Sequence, residues 1–428
     1  MQSLIASHTQ DLPDNRTSHS PQISSPQSSH QSNPIHQSTT STEMEQEQSL
    51  QTIKHMNMPA LRLVCPDRYE AEVETLIHQP EFVFNNANYT KIEKIRSMFE
   101  TFVKGCVPEV SDVGLFGSAR STLMTSESDL DFSIQLSDRT RQDVDVLADI
   151  KKEMKKGGPF QLSHLIPSER IPLLKCTTTL QIWDEEDEKR IQSESPTHFD
   201  VVIGNRHSIL SCDLVRTYCA FDDRVRPFLL LVKKWAKSQK IAQATSSGLS
   251  SYTWNLACLC FLQMCNPPVI PNIQSPSYIA SSDRKCLVDV ELTDCHPCFS
   301  TDEGPWKELR PGLLPNPHDP LQTANPRPQN TQSVGSLFVG FVDFMGNHYK
   351  NEMALSVQHG GLVEAESIRH LMKAYKRAPR ILILDPFYNV RNIAGSVQAS
   401  RQIMYPIRDT IKLIEAQAPF PELISPKT

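Results

Sequence analysis

The sequence predicts an α+β protein in which a small domain with a mixed β-sheet packs across a cleft from a larger, mainly helical domain. Short segments typical of strands lie between residues 113 and 204: "VGLFGS", "DLDFSIQL", "IPLLKCTTTLQIW" and "HFDVVIG". After residue 210 the apolar residues follow helical spacing, as in "DLVRTYCAFDDRVRPFLLLVKKWAKSQKI". This change of pattern predicts a domain boundary near residue 210.

The first part of the chain divides into a tail and a helical segment. Residues 1–58 are dominated by Ser, Gln, Thr, His, Asn and Pro, a composition too polar for a packed core, so we expect a disordered tail. Residues 59–106 are predicted to form N-terminal helices that join the helical domain. One of these helices shows apolar residues at three- and four-residue spacings, namely Ile92, Ile95, Phe99, Phe102 and Val103.

The remaining chain is divided in the same way. Residues 107–210 are predicted to form the sheet domain, including a helix over about 138–156 with Ser137 as its N-cap and with Val144, Leu147 and Met154 facing inward. Residues 211–415 form the helical domain, interrupted by a Pro-rich loop at 311–330, and residues 416–428 form a C-terminal tail.

Composition limits the compartment and the partners. The net charge of −6 gives no sign of a broadly basic nucleic-acid-binding surface, although local basic patches can still bind phosphate. The 11 cysteines are scattered, and several lie in apolar surroundings, which indicates reduced thiols. For the pair in "CHPC" (295–298), free thiols are favoured over structural zinc. Because no stretch reaches the roughly 18 apolar residues of a membrane span, we expect no membrane association and a cytoplasmic location, with the nucleus also compatible.

Three aspartates carry the strongest chemical signal. Asp129 and Asp131 stand one residue apart in "DLDFSIQL", and because strand side chains alternate, both point to one face. Asp200 lies within apolar "HFDVVIG", where a carboxylate is costly unless charge or hydrogen bonding compensates it. Such oxygen ligands suit Mg²⁺, and the Gly117–Ser118 turn can cradle phosphates. The alternative is that the Asp-x-Asp pair lies in an exposed turn without chemistry.

These motifs resemble those of the DNA polymerase beta-type nucleotidyltransferases, which combine a Gly-Ser turn, an Asp-x-Asp strand and a third Asp on a neighbouring strand. More narrowly, the chain resembles the template-independent terminal uridylyltransferases and cytoplasmic poly(A) polymerases. Further motifs follow in that family's order: "LLLVKKWAK", "GLSSYTWNLACLCFLQ", "PPVIPNIQ", "SVGSLFVGFVDF" and "LDPFYNVRNIAGSV". The resemblance implies that residues 107–210 are the nucleotidyltransferase catalytic domain and 211–415 the helical PAP-associated central domain.

The resemblance also implies roles for individual residues. It makes Asp129, Asp131 and Asp200 the catalytic residues and the ligands of two Mg²⁺ ions, or of Mn²⁺ in their place. It implies a nucleotide-binding set of Gly117, Ser118, Asn205, Ser211, Lys233, Lys237, Ser251 and Tyr252. Within that set Ser118, Ser251 and the two lysines grip the β- and γ-phosphates, Tyr252 stacks on the base and Asn205 contacts the ribose.

Two of these assignments have plain alternatives. Lys233 and Lys237 share one helix face, which without the aspartates would be read as a solvated face. A tyrosine at position 252 could equally belong to the core. The family pattern also fails at the second ribose contact, where the usual Asn-Thr pair is replaced by Ser211-Cys212.

Base selection shows the largest departure from the family. Uridine-selecting members usually carry a histidine before the final Asn of "DPFYNVRN" and an acidic residue three positions earlier; this chain has Arg391 and Tyr388 there and retains Asp385. An arginine donates to the oxygens of uracil or guanine, whereas the amino group of adenine is itself a donor. These three residues are therefore the predicted base-selection set, and uracil is the favoured base.

The sequence as a whole predicts an enzyme that adds nucleotides, chiefly UMP from UTP, to RNA 3′ ends without a template and with release of pyrophosphate. One alternative is a cytoplasmic-type poly(A) polymerase that uses ATP. Another is a catalytically silent RNA-binding scaffold. Because no RNA-recognition module is visible, we expect a protein partner to select the RNA.

Overall fold

The structure of the 428-residue chain is a computed structural model, and it describes the chain with several gaps. The described residues are 54–79, 82, 86–125, 128–168, 171–180, 196–242, 248–275, 278, 285–286, 299–300, 330–369, 381–388, 391–395, 397 and 400–425. The predicted tail up to residue 53, almost all of the Pro-rich loop and the 295–298 cysteine pair lie outside these ranges.

Ten strands are assigned within these ranges. They are β1 (His55–Met56), β2 (Val110–Phe116), β3 (Leu130–Leu136), β4 (Phe160–Ile166), β5 (Leu173–Thr178), β6 (Thr197–Ile203), β7 (Lys285–Cys286), β8 (Phe299–Ser300), β9 (Met353–Ser356) and β10 (Gly361–Glu364).

Eleven α-helices accompany them in the described chain. They are α1 (Arg68–Ile77), α2 (Asn86–Cys106), α3 (Gly117–Arg120), α4 (Asp143–Met154), α5 (Arg206–Phe221), α6 (Val225–Ser238), α7 (Ser251–Met264), α8 (Val334–Asp343), α9 (Ala365–Arg369), α10 (Ser400–Glu415) and α11 (Phe420–Leu423). A π-helical turn, Phe344–His348, extends α8.

The central sheet has five strands in the order β2-β3-β6-β5-β4. Strands β3 and β6 run parallel, whereas the other neighbouring pairs are antiparallel. The predicted α+β class with a mixed sheet is therefore confirmed. The four predicted strand segments correspond to β2, β3, β5 and β6.

One face of this sheet is covered by helices and forms a first core. Phe99 of α2 lies at its centre, with ring centroids 5.4 Å from Phe132, 5.3 Å from Phe160 and 5.2 Å from Phe199. Since Phe132 and Phe199 point into this core, the alternation of strand side chains turns residues 131 and 200 to the opposite face. The core thus orients the polar face of the sheet.

The helix predicted over 138–156 is shorter at both ends, because α4 covers Asp143–Met154. Ser137 does not cap it, since the Ser137 hydroxyl donates to the carbonyl of Glu109 and Gln142 occupies the N-cap position. Val144 is exposed, which corrects its predicted inward position, and the buried face instead carries Val146, Leu147, Ile150 and Met154. The strand that precedes the helix does not indicate which side of α4 faces the core.

A second, larger core is built from helices. Trp235 of α6 and Trp254 of α7 meet edge to face at 5.6 Å, and Phe338 of α8 lies 5.8 Å from Trp235. The indole N–H groups donate to the Thr410 hydroxyl at 3.0 Å and to the Ile241 carbonyl at 3.2 Å, so neither buried donor is left unpaired. Helices α1 and α5 contribute apolar side chains to the same core.

The packing differs from the predicted domain division in three places. Helix α2 packs on the sheet and not with the helical domain, because its apolar face lies on Phe132, Phe160 and Phe199. The predicted tail over 1–58 is too long, since β1 pairs with β10 through backbone hydrogen bonds. The predicted C-terminal tail contains α11. Its Phe420 is buried, and the centre of the Phe420 ring lies 5.2 Å from that of the Tyr69 ring. Apart from these packing differences, the domain boundaries stay a prediction.

Within the described ranges, none of the helices combines the length and the apolar character that are needed to cross a bilayer.

Candidate active site

A row of polar side chains crosses the open face of the central sheet. Asp131 on β3 is the parallel partner of Asp200 on β6, and Lys175 on β5 is the antiparallel partner of Asp200. Directly paired residues point to the same face, so the three side chains stand side by side. Asp129 immediately precedes β3, and its carboxylate acts electrostatically on both Asp131 and Asp200. The structure therefore brings the three predicted carboxylates to one face of the sheet.

The nearby cations do not offset the effects of burial and of the neighbouring carboxylates on Asp131. Burial raises the pKa of Asp131 to about 7, and the carboxylates of Asp200 and Asp129 add to the rise. Burial also raises the pKa of Asp200, although the ammonium of Lys175 opposes this shift. Two cations, Lys233 and Lys175, act on Asp131 but do not restore its ordinary pKa. The site thus carries more negative charge than the surrounding protein compensates.

Lys175 is the member of the row that sequence reasoning missed. Its Nζ lies 3.1 Å from both carboxyl oxygens of Asp200. The signal was available in "LLKCTT", where a lysine interrupts an alternating strand, but lysines on strand surfaces are common and carry no functional meaning alone. Lys175 fixes the Asp200 carboxylate at the edge of the row.

The carboxylates of this row are the candidate ligands for a metal ion. Across the described ranges, no group of three or more His, Cys, Asp or Glu side chains is arranged so that it could hold a metal ion. Asp129 is exposed, and both Asp200 oxygens are engaged by Lys175. Mg²⁺ usually takes one or two carboxylates together with phosphate oxygens and water. Asp131 with one neighbouring carboxylate fits that requirement.

The turn after β2 is shaped around Asp131. Gly117 has a φ of +64°, and a Cβ at this position would overlap the Asp131 carboxyl group. A glycine is therefore required both by the backbone conformation and by the close approach of the carboxylate. The adjacent Ser118 is partly buried in the first turn of α3. The predicted Gly-Ser turn and the Asp-x-Asp segment thus touch each other.

Helix α5 holds this turn from the other side. Arg120 makes two parallel hydrogen bonds to Asp213, of 2.7 and 2.8 Å. The thiol of Cys212 donates to the Gly117 carbonyl at 3.4 Å. Bidentate arginine–carboxylate pairs fix geometry as well as charge, so the turn is rigidly attached to the start of the helical unit.

The two predicted phosphate-binding lysines occupy successive turns of α6. Lys233 is 9% exposed, and its Nζ donates to the Leu123 carbonyl at 2.9 Å and reaches the Ser128 hydroxyl at 3.4 Å. It therefore braces the loop between the Gly-Ser turn and Asp129 in addition to acting electrostatically on Asp131. Lys237 is exposed one turn later and lies on the same helix face.

The predicted ribose contacts lie at the start of α5. Asn205 is the N-cap of this helix, because its carboxamide oxygen accepts from the Ser208 N–H at 3.2 Å. Its amide nitrogen is the remaining side-chain donor. Ser211 is buried, and its hydroxyl oxygen has no hydrogen-bond partner among the described residues. A buried hydroxyl in this condition is a polar group that a ligand can satisfy.

Ser251 and Tyr252 begin α7, whose N-cap is Ser250. Burial, reinforced by the Asp385 carboxylate, raises the pKa of Tyr252, and the Ser211 hydroxyl opposes the rise. The two hydroxyls interact without a well-aligned hydrogen bond, since both oxygens lack a partner by geometry within the described chain. Tyr252 thus connects the start of α5 to the segment that contains Asp385.

The predicted base-selection residues contact one another. The Asp385 carboxylate accepts from the backbone N–H groups of Phe387 at 3.0 Å and Tyr388 at 3.3 Å. The Asp385 N–H donates to the Arg391 carbonyl at 2.8 Å, and the Arg391 guanidinium lies 5.4 Å from the centre of the Tyr388 ring. The three predicted residues are therefore in contact, although residues 389 and 390 between them are not described.

His207 was not among the predicted site residues. Its Nε2 lies 3.0 Å from the second carboxyl oxygen of Asp385, and its ring lies 4.7 Å from the Tyr388 ring. The position one residue into α5, after the Asn205 cap, gave no sign that the side chain would reach residues 385–388.

Comparisons with known proteins agree with this architecture. Residues 72–220 match the family model of the central palm domain of mitochondrial-like poly(A) RNA polymerases. The chain is 27% identical over 285 residues to the poly(A) RNA polymerase cid13 of Schizosaccharomyces pombe, an alignment that covers 66% of this chain and 42% of that protein. It is 25% identical over 311 residues to human terminal uridylyltransferase 7, covering 71% of this chain and 18% of that protein.

A crystal structure of the Cid1 poly(U) polymerase bound to MgGTP shares the fold. Its TM-score is 0.64 at 22% identity, and the match covers 84% of this chain and 99% of that one. The chain spans less than half the length of cid13 and a smaller share of terminal uridylyltransferase 7. These similarities confirm the resemblance to the terminal uridylyltransferases and poly(A) polymerases.

The close approach of Gly117 to Asp131 yields a test of the site's architecture. We expect Gly117→Ala to lower the free energy of unfolding by about 1–3 kcal/mol, because the backbone is left-handed there and the new methyl group meets the carboxylate. The measurement is urea-induced unfolding followed by circular dichroism. Gly105→Ala is the matched control, since nothing lies within 4 Å of the position that its Cβ would take and alanine favours a helix. Equal effects of the two substitutions would contradict the assignment.

Proposed function

We propose that this chain, which shares its palm domain and fold with the terminal uridylyltransferases and poly(A) polymerases, adds nucleotides to RNA 3′ ends without a template. The observation that carries the proposal is the row on the sheet face, in which Asp131 lies beside Asp200 and against the Gly117 backbone. A partly buried group of carboxylates beside a glycine turn suits a cation bound together with phosphate groups.

Asp129, Asp131 and Asp200 would hold the Mg²⁺ ions of a two-metal arrangement. When bound, the metal makes the 3′-hydroxyl of the RNA a better nucleophile and offsets the negative charge of the triphosphate. The chain's own groups align the reactants. Lys237 and the Ser118 and Ser251 hydroxyls would bind the β- and γ-phosphates, while Asp200 orients the hydroxyl.

The reaction follows the usual course of phosphoryl transfer. The 3′-oxygen forms a bond to the α-phosphorus, the bond from that phosphorus to the oxygen bridging the β-phosphorus breaks, and pyrophosphate leaves. The hydroxyl proton passes to a neighbouring base or water. Lys175 contributes by holding both Asp200 oxygens at 3.1 Å, so that this carboxylate is pre-oriented before the RNA arrives.

The base would be selected at the far end of the site, by Tyr252 and the segment from Asp385 to Arg391. Arg391 supplies donors that match the carbonyl oxygens of uracil, and the amino group of adenine offers them no acceptor. UTP is therefore the proposed substrate. ATP is the alternative, supported by the poly(A) polymerases among the similar proteins.

We also propose a protein partner and a cytoplasmic location for this chain. A separate RNA-binding protein would bring the target RNA. The cytoplasm suits the free thiols that eight cysteines carry in the described chain.

Asp129→Ala should abolish nucleotide addition. Purified protein is incubated with a short labelled RNA, Mg²⁺ and a mixture of nucleoside triphosphates, and product lengths are measured on a denaturing gel. We expect the rate to fall about 100-fold or more, the magnitude typical of removing one group that stabilises transition-state charge. Asp145→Ala removes an exposed carboxylate on α4 and should leave the rate unchanged. Full activity in Asp129→Ala would reject the proposed site.

Base choice is tested by offering each nucleoside triphosphate separately to the wild-type protein. We expect UTP to give the fastest extension. Tails formed mainly from ATP would identify the alternative poly(A) polymerase activity. Extension with none of the four nucleotides would favour a silent RNA-binding scaffold.

A further inference from the structure

One histidine connects the two parts of the site. His207 is the second residue of α5, which begins three residues after β6, the strand of Asp200. Its ring nevertheless contacts the distant segment from Asp385 to Tyr388. The histidine does not cap the helix, since Asn205 fills that role.

Three contacts hold the ring against that segment. The Nε2 atom lies 3.0 Å from Asp385 Oδ2. The ring centroid lies 4.7 Å from that of Tyr388, at an interplanar angle of 61°, and 5.9 Å from that of Phe387, at 90°. A polar contact and two edge-to-face aromatic contacts together fix the position of one small segment of chain.

The polar contact matters because Asp385 is only 1% exposed. Its first carboxyl oxygen is satisfied by the N–H groups of Phe387 and Tyr388, whereas the second faces His207 without a well-aligned hydrogen bond among the described residues. A buried carboxylate oxygen is costly without a donor. His207 is 21% exposed, and its Nε2 is the side-chain nitrogen that faces this oxygen at 3.0 Å.

The same pair lies next to the nucleotide-binding residues. Tyr252 interacts electrostatically with Asp385 and Arg391 and with the Ser211 hydroxyl. Cys212, adjacent to Ser211, contacts the Gly117 carbonyl. A continuous path thus leads from the carboxylate row through α5 to Asp385. Four buried polar atoms without a hydrogen-bond partner in the described chain lie along it: Ser211 Oγ, Tyr252 Oη, His207 Nδ1 and Asp385 Oδ2.

We propose that His207 is a specificity-determining positioning residue, which fixes Asp385 and Tyr388 so that Arg391 is presented to the incoming base. The proposal rests on the proposed function and names the side chain that sets its preference for UTP over ATP. His207 acts through Asp385, whose carboxylate in turn orders the backbone of residues 387 and 388. Without His207, the segment loses its polar and aromatic contacts to α5, and Arg391 is held less firmly in place.

Two variants separate the contributions of the ring. His207→Leu keeps apolar bulk beside Tyr388 but removes the ring nitrogen that faces the second carboxyl oxygen of Asp385. His207→Gln keeps a neutral donor of similar reach and serves if the leucine variant folds poorly. His164→Ala is the matched control, because His164 is exposed on β4 at the far edge of the sheet.

The primary measurement is equilibrium binding of UTP and of ATP, each with Mg²⁺, by isothermal titration calorimetry. We expect His207→Leu to reduce the ratio of the ATP and UTP dissociation constants by about tenfold, as for other buried polar groups left unpaired. His207→Gln should reduce it less, and His164→Ala should not change it. In extension assays, KM for UTP should rise in the His207 variants while kcat changes little.

A binding ratio within twofold of wild type in both His207 variants would overturn the inference. That result is distinguishable from failure of the proposed function, in which wild-type protein extends RNA with no nucleotide whatever its binding preference. A fall in kcat without a change in selectivity would also contradict a role in base choice.

Discussion

The parallel pairing of β3 and β6 places two carboxylates side by side on the open face of the central sheet, and the surrounding structure must accommodate their repulsion. The aromatic cluster around Phe99 fixes the alternation of both strands, so Asp131 and Asp200 cannot turn into the opposite face without unpacking that core. Gly117 closes the space beside Asp131, which leaves its carboxylate partly desolvated. The fold therefore maintains a negative site at a cost in electrostatic energy.

Side chains of the helical unit contact this site at several points. Lys233 of α6 donates to the loop before Asp129. Asp213 of α5 binds Arg120, which follows the Gly117 turn. From the same helix, His207 reaches the segment after Asp385. The residues proposed to bind phosphate and base are thereby attached to the elements that carry the carboxylates.

The sequence was informative where short-range pattern decides the outcome. Strand alternation predicted the shared face of Asp129 and Asp131, and the apolar surroundings of Asp200 marked it as unusual. Lys175 and His207 were missed because their importance depends on strand register and on contacts between residues far apart in sequence. The phase of α4 and the packing of α2 on the sheet likewise follow from tertiary contacts. A histidine does reach the predicted base-selection residues Asp385 and Tyr388, but it comes from α5 and not from position 391.

The central claim is that the charge around Asp131 is completed by a divalent cation. The most direct measurement is a crystal structure with Mn²⁺ and a non-hydrolysable UTP analogue, in which anomalous scattering locates the metal. The account predicts a peak within coordination distance of an Asp131 carboxyl oxygen and of a second carboxylate, Asp129 or Asp200, with phosphate oxygens as further ligands. An ordered triphosphate with no anomalous peak beside Asp131, or with the metal bound elsewhere, would contradict it.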